Sequence, residues 1–361
     1  MRIALDVSPL DSPFITGVER SYLQLLDSLK NSSATHEFLL VAPQKPRHLP
    51  SWEDSRFSFH STAPFGCNSF WRERGISRFA RNKGIQLWHS HVQAIPVLLD
   101  IPKVATMHEI SWAETSGVSD EGPIWRRRLL ASSVSRFADR IVCVSKRTRL
   151  NFLSLYPSAS KKTVVIPHGV GNNFFDCVAD SNPSTPNLFC LARPFKRKGL
   201  ENLLRTFRIF LDRYQTPHNL VLGGPKNQRT RSLQELANRL ALQDRVSFPG
   251  WIEESELPAV YANSSAFLFP SESEGFGLPI LEAMAAGTPV IAQNSASIPE
   301  VVGDAGLLTD FQAPSKAADD LFSLLGQRDA WIEKGKKRAG CFPVDRPAST
   351  LLSLWESWAI R

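Results

Sequence analysis

The sequence predicts an α/β protein made of two Rossmann-like, doubly wound parallel-sheet domains in tandem. Three observations predict it. Short apolar runs alternate with helix-length amphipathic stretches along nearly the whole chain. Several runs are continuous rather than alternating (Phe38-Leu39-Leu40-Val41-Ala42, Ile141-Val142-Cys143-Val144), as expected of parallel strands covered by helices on both faces. The alternation breaks once, near 168–187, at a polar, proline-bearing stretch and then restarts, and 361 residues is the length of two domains.

In order, strands are read at 2–7, 37–42, 85–91, 102–107, 140–145 and 163–167, with helices near 17–30, 70–82, 123–138 and 146–155. Ser145 is placed to cap the last of these helices. Beyond the break, strands are read at 188–192, 219–223, 245–248, 266–270, 288–292 and 306–309, and helices near 199–213, 230–241, 255–262, 279–286 and 315–327. A closing helix at 347–359 carries Leu351, Leu352, Leu354, Trp355 and Trp358, an apolar stripe that needs a surface to cover. The expected organisation is a first domain over 1–170, a linker over 171–187, a second domain over 188–345 and a terminal segment over 346–361. The ligand is expected in the cleft between the domains.

Composition narrows the function. Hydrophobic residues make up 42% and charged residues 21%, which excludes a disordered chain. A net charge of +7 favours anionic partners. Five cysteines (67, 143, 177, 190, 341) form no CxxC pair, so a reducing cytosol fits better than a disulfide scaffold. No apolar run reaches 18 residues, and the first strand is too short to be a secretory signal. The expected location is cytoplasmic, with peripheral attachment at the inner face of the membrane as a variant.

The strongest chemical signal runs from Pro270 to Val290. An apolar strand ends and Glu274-Gly275-Phe276-Gly277 leads into a helix, with Pro279 suited to its first position and Gly287 just past its end. Free amides there, with Gly275 and Gly277 allowing close approach, can hold a phosphate. Glu274 and Glu282, eight residues apart, can accept hydrogen bonds from paired hydroxyls. A second cluster, Arg193-Pro194-Phe195-Lys196-Arg197-Lys198-Gly199, follows a strand and opens a helix. Four cations at a helix start oppose its dipole, which points to an anion, and fixed cations stabilise a departing diphosphate.

The segment around Glu274 and Glu282 resembles the Glu-x7-Glu motif of the retaining GT-B glycosyltransferases of glycosyltransferase family 4, which include bacterial mannosyltransferases; the resemblance covers essentially the whole chain. It implies a GT-B fold of two Rossmann-like domains facing a cleft, an acceptor-side first domain and a nucleotide-sugar-binding second, with the closing helix of 346–361 packing back on the first. It places Glu274 on the donor sugar, with Gly275, Phe276, Gly277 and Leu278 in the donor-binding loop, and Glu282 on the nucleotide ribose. Arg193 and Lys198 fall where the family clamps the diphosphate, with Ala192 replacing a usual Gly. The turn at Thr16-Gly17-Val18 resembles the family's glycine loop, and His108 resembles its sugar-contacting His, with Glu109 replacing the usual Asp. Pro167-His168-Gly169-Val170 matches a hinge segment that often reads Pro-Asn-Gly-Val. Trp251 and Ile252 fall in the loop that holds the base. The expected catalytic set is therefore Glu274, His108, Arg193 and Lys198.

The implied activity is metal-independent transfer of a hexose, first mannose from GDP-mannose, to a saccharide or lipid-linked saccharide in cell-surface polysaccharide or lipopolysaccharide assembly. There is no resident cofactor, and no Asp-x-Asp motif is present to bind a metal. Retention implies front-face attack, as no enzymatic nucleophile is evident. The rivals are a nucleotide-sugar epimerase and a silent scaffold of the same fold. His89 and His91 could be metal ligands on one strand, but they lack a nearby acidic or Cys partner. The basic stretch 71–83 reads as a solvated face over buried aromatics, with contact to an anionic membrane as the other reading. Nucleic acid is disfavoured, since acidic residues punctuate the basic clusters, and GxGxxG is absent.

Overall fold

The computed structural model describes residues 1–62, 71–110, 112, 123–178 and 186–358, the side chain of Arg74 apart. The chain divides into two compact units, Met1–Gly169 with Val344–Arg361, and Val170–Pro343. The first contains β1 (Arg2–Asp6), α1 (Gly17–Lys30), β2 (Glu37–Ala42), β3 (Phe57–Ser61), α2 (Ile76–Lys83), β4 (Leu87–Ser90), β5 (Lys103–Met107), α3 (Ile124–Phe137), β6 (Arg140–Cys143), α4 (Lys146–Leu155) and β7 (Thr163–Val165). Its seven strands pair in parallel in the order β3-β2-β1-β4-β5-β6-β7. The continuous apolar runs are explained by burial on both faces. Ile3, Leu5, Phe38 and Leu40 enter one core, while Ala4, Leu39, Val41 and Trp88 enter another.

Strand β3 went unread in the sequence. Phe57-Ser58-Phe59-His60-Ser61 is a half-exposed edge strand with polar alternate positions, so it lacks the apolar run that marks its neighbours. Strand β4 is shorter than 85–91. Gly84 ends α2 in a left-handed turn (φ 62°), and His91 lies beyond the strand's end.

The second unit contains β8 (Asn187–Leu191), α5 (Leu200–Tyr214), β9 (Asn219–Gly223), α6 (Gln228–Arg239), β10 (Val246–Gly250), α7 (Leu257–Ala262), β11 (Ser264–Phe269), α8 (Leu278–Ala285), β12 (Val290–Gln293), α9 (Ile298–Val302), β13 (Leu307–Thr309), α10 (Pro314–Gly326) and α11 (Arg328–Gly340). Its six parallel strands run β10-β9-β8-β11-β12-β13. Helix α11, also unread, is mostly charged, and only its small Gly335 and Ala339 are buried; Gly335 lies against Met284 of α8. Residues 170–178, placed largely in the expected linker, pack with this unit. The Val170 amide donates to the Phe342 carbonyl at 2.9 Å, and Phe174 is buried edge-on to Tyr261. Residues 179–185 of that linker lie outside the described residues. The last helix, α12 (Arg346–Glu356), belongs to the first unit, where Ala348, Leu351 and Trp355 join the core of Ile3, Leu5 and Phe38.

In such sheets ligands bind beyond the carboxyl ends of the strands, where strand order reverses. That point lies between β1 and β4 in the first unit and between β8 and β11 in the second.

Candidate active site

In the second unit the loops that leave β8 and β11 meet at this reversal point. The Glu272 amide donates to the Arg197 carbonyl at 2.8 Å, and the Arg197 guanidinium donates to the Ser273 carbonyl at 2.8 Å. Lys198 Nζ forms an ion pair with Glu274, and Arg197 lies 3.7 Å from the other carboxylate oxygen. Two motifs 76 residues apart thus share one site. Gly199 permits the approach. It has φ 65°, and a Cβ there would lie 2.3 Å from the Pro270 carbonyl oxygen. Ser297 Oγ donates to the carbonyls of Glu274 (2.8 Å) and Phe276 (3.1 Å), and Ser295 Oγ to that of Glu272 (2.8 Å), so the loop is held from behind.

The expected site residues here differ in their surroundings. Burial pushes the Glu274 carboxyl up, but Lys198, Arg197 and the hydrogen bonds from Lys198 and Ser271 outweigh it and hold the group below its ordinary value. Arg193 has its Nε buried without a hydrogen-bond partner, which leaves one donor available to an acceptor. Glu282 is buried on α8, where its Oε2 accepts from the Tyr261 hydroxyl at 3.0 Å. Gly277 caps α8 with φ 109°, which puts Pro279 at the second helical position rather than the expected first. The side chains of Phe276 and Leu278 are buried, which leaves the backbone rather than these side chains to face a ligand at 276–278.

Trp251 and Ile252 follow β10, two strands away from β8 in the sheet. Ile252 packs inward, its Cδ1 2.6 Å from where a Cβ on Gly223 would sit. Beside them a shallow, open pocket is lined by Ala192, Gly224, Lys226 and Gly250 among others, though not by Trp251 or Ile252.

In the first unit, Gly17 opens α1 behind a capping box in which the Thr16 amide donates to Glu19 Oε2 at 2.8 Å. A Cβ on Gly17 would meet nothing within 4 Å, so the turn is open. His108 Nε2 lies 2.8 Å from the His91 carbonyl. A carbonyl only accepts, so the proton is on Nε2. Burial lowers the ring's pKa from 6.5 to about 4, so His108 is neutral and Nδ1 carries the lone pair. The ring stacks on His168 (5.3 Å, 18°) and meets His91 edge-on (4.6 Å). His91 in turn stacks on Tyr22 at 4.2 Å and pairs with Ser21 Oγ at 3.3 Å, which ties the cluster to α1. Sequence reasoning missed His168's place beside His108, and with it Arg197, Tyr261, Ser295 and Ser297. Each acts through a partner distant in the chain.

Residues 15–172 match the family model Glycosyltransferase Family 4, and residues 178–338 match Glycosyl transferases group 1. Each half of the chain is thus similar to a glycosyltransferase family model. The chain is 36% identical over 137 residues to O-antigen chain mannosyltransferase B of Escherichia coli, which spans 38% of this chain and 36% of that protein. It is 31% identical over 247 residues to the GDP-mannose-dependent alpha-(1-6)-phosphatidylinositol monomannoside mannosyltransferase of Mycobacterium tuberculosis, spanning 63% and 61% of the two chains. The matches thus cover about a third to three fifths of these relatives' lengths. Sucrose-phosphate synthase from Thermosynechococcus elongatus superposes with a TM-score of 0.80 at 19% identity, over 99% of this chain and 98% of that one. The fold is GT-B.

The remaining candidates in the first unit have internal partners. His89 Nε2 pairs with Thr106 Oγ1 at 3.0 Å, and burial lowers its pKa to about 3. Among the described residues no group of three or more His, Cys, Asp or Glu is arranged to hold a metal ion. In the 71–83 stretch Trp71, Ile76 and Ala80 are buried. Arg72 Nε donates to Asp6 at 2.9 Å, and Glu73 accepts from the amides of Val97 and Leu98 at 3.0 Å each. Among the described cysteines, 143, 177, 190 and 341 are free, and Cys67 lies outside the described residues. Burial pushes the Cys143 and Cys190 thiols up to about 12, so neither is a nucleophile at neutral pH. No helix among the described residues is long and apolar enough to cross a membrane.

Proposed function

We propose that the chain is a retaining, metal-independent glycosyltransferase that moves a hexose, first mannose from GDP-mannose, to a saccharide or lipid-linked saccharide in cell-surface polysaccharide assembly. The observation that carries this reading is the Lys198–Glu274 ion pair, on the same loop as an Arg193 whose Nε is buried without a partner. Arg193 and Lys198 take the diphosphate, the first bidentately and the second as a point charge. Glu274, released from part of its pairing with Lys198, accepts hydrogen bonds from sugar hydroxyls. Glu282, oriented by Tyr261, accepts from the ribose hydroxyls, and His108 accepts one hydroxyl at Nδ1. In the chemical step the bond from the sugar anomeric carbon to the phosphate oxygen breaks. The acceptor hydroxyl oxygen bonds to that carbon on the same face, and its proton passes to the departing phosphate oxygen. Fixed cations around that phosphate stabilise the charge it gains. Mannose is favoured by the two mannosyltransferase relatives, and the guanine base by the GDP-mannose-dependent one.

The test is to incubate the protein with GDP-mannose or UDP-glucose, with and without a saccharide acceptor, and follow donor and product by NMR. Transfer with retained anomeric configuration, unaffected by EDTA, is expected. Glu274→Gln and Glu282→Gln should each lower it at least tenfold, or about 1.4 kcal/mol of transition-state stabilisation. A changed sugar nucleotide in the absence of acceptor would identify an epimerase, and an inert donor a scaffold.

A further inference from the structure

Glu274 meets two cations at once, and the two are held differently. Arg197 and Lys198 are neighbours in a single 3₁₀ turn, Lys196–Lys198, which Gly199 closes in the left-handed conformation. Lys198 Nζ pairs with one carboxylate oxygen of Glu274, and Arg197 Nη1 lies 3.7 Å from the other.

Arg197 is tied at both backbone and side chain to the loop that carries Glu274. Its carbonyl accepts from the Glu272 amide at 2.8 Å and from the Ser271 hydroxyl at 3.4 Å, while its Nη1 donates to the Ser273 carbonyl at 2.8 Å. Turning the guanidinium away would break that last bond at a residue that is itself buried. Lys198 instead holds Glu274 as a point charge on a flexible four-carbon stem, and its ammonium donors rotate readily to a new acceptor. One cation is fixed and the other can move.

With 12% of its side chain exposed, the Glu274 carboxylate needs a cation to stay charged. Among the described residues, the charged groups that bear on it are Lys198 and Arg197, both from the loop leaving β8, with the Ser271 hydroxyl donating from its own loop. A diphosphate that draws Lys198 away also adds negative charge nearby. The carboxylate then loses its closer partner at the moment it has to accept hydrogen bonds from a sugar. Protonation would turn one of its acceptor oxygens into a donor.

We propose that Arg197 is the resident counter-ion of Glu274, staying with the carboxylate and keeping it ionised and aimed when Lys198 turns to the diphosphate. The proposal rests on the reading of Lys198 as a diphosphate ligand and of Glu274 as a sugar ligand. It divides the cations by task. Lys198 exchanges partners, while Arg197 is a positioning residue that acts through Glu274 and does not touch the donor. A planar, permanently charged guanidinium suits the fixed role.

The experiment follows the Glu274 carboxyl carbon across pH by carbon-13 NMR in the full chain, free and saturated with GDP, with the signal assigned from Glu274→Gln. In the parent the two midpoints should differ by less than about one pH unit. In Arg197→Gln, GDP should raise the midpoint by about one unit or more, and the acid limb of the pH profile of transfer should move up with it. Arg197→Lys, which keeps the charge, should restore both, whereas a merely structural loss would lower turnover alike at every pH. Calorimetric GDP affinity of Arg197→Gln should stay within about threefold of the parent, and circular dichroism monitors folding of every variant. Lys198→Ala leaves Arg197 in place, and there Glu274 should remain ionised at pH 6. A midpoint in the GDP complex of Arg197→Gln equal to the parent's, failure of Arg197→Lys to restore it, or a protonated Glu274 at pH 6 in Lys198→Ala would overturn the proposal. GDP binding about tenfold weaker in Arg197→Gln would also overturn it, by making Arg197 a diphosphate ligand itself. A parent that binds no GDP would overturn the reading of Lys198, and the proposal with it, before any variant is made.

Discussion

A neutral His108 protonated on Nε2 can accept a hydrogen bond at Nδ1 but cannot donate one there, and the state of the ring rests on its neighbours. Burial, followed by mutual repulsion, keeps His91 and His168 well below the usual histidine pKa, and His89 at about 3. All four therefore bind fewer protons folded than unfolded as pH falls below 6.5. Stability contributed by their neutral forms is complete above that pH and is lost on acidification towards 4. Urea unfolding at pH 7.5 and pH 5 should give a clearly lower midpoint at pH 5, and His168→Asn should reduce the difference. Equal midpoints would contradict this account of the cluster. Tyr261 offers a second test. Tyr261→Phe removes a buried hydrogen bond to a carboxylate, worth about 1.5–3 kcal/mol, and should raise the donor KM several-fold more than it lowers kcat. At this scale Glu274, Glu282, Arg193 and Lys198 were legible because the motif consists of residue types at fixed spacings. The proton position of His108 and the roles of Tyr261 and His168 were not, because they depend on hydrogen bonds and ring contacts made only after folding.

Among the elements, the tight contact between the loops leaving β8 and β11 matters most to the site, and Gly199 sets it. Gly199→Ala adds a methyl 2.3 Å from a carbonyl oxygen at a positive φ. It should cost about 1–3 kcal/mol and separate Lys198 from Glu274. Urea midpoints and donor affinity measured on the same variant check both effects, and a variant indistinguishable from the parent would count against the shared site. Strands with continuous apolar runs could be read directly, since burial on two faces leaves a two-sided signature. Edge strand β3 and charged helix α11 could not, because little of their side-chain surface is apolar and buried.

For the whole molecule, the repeated α/β pattern foretold two parallel sheets, while the path of the chain between units did not follow from it. Residues 170–178 join the second unit because Phe174 finds Tyr261, and α12, which the family resemblance rather than the pattern assigns to the first domain, packs with the first unit because Leu351 and Trp355 complete a core begun by Ile3 and Phe38. Such choices depend on which apolar surface is left uncovered, and no local periodicity records that. Each unit presents its candidate chemistry near its own strand-order reversal, Gly17 and His108 in the first and the cations with Glu274 in the second. The central claim is that Arg193 and Lys198, on the loop leaving β8, await a diphosphate that the loop bearing Glu274 helps to hold. Calorimetric titration of GDP and UDP into the protein, Arg193→Ala and Lys198→Ala tests it most directly. The account predicts saturable binding by the parent and at least tenfold weaker binding by each variant, with folding intact. Unchanged affinity in both variants, or no binding of either nucleotide to the parent, would contradict it.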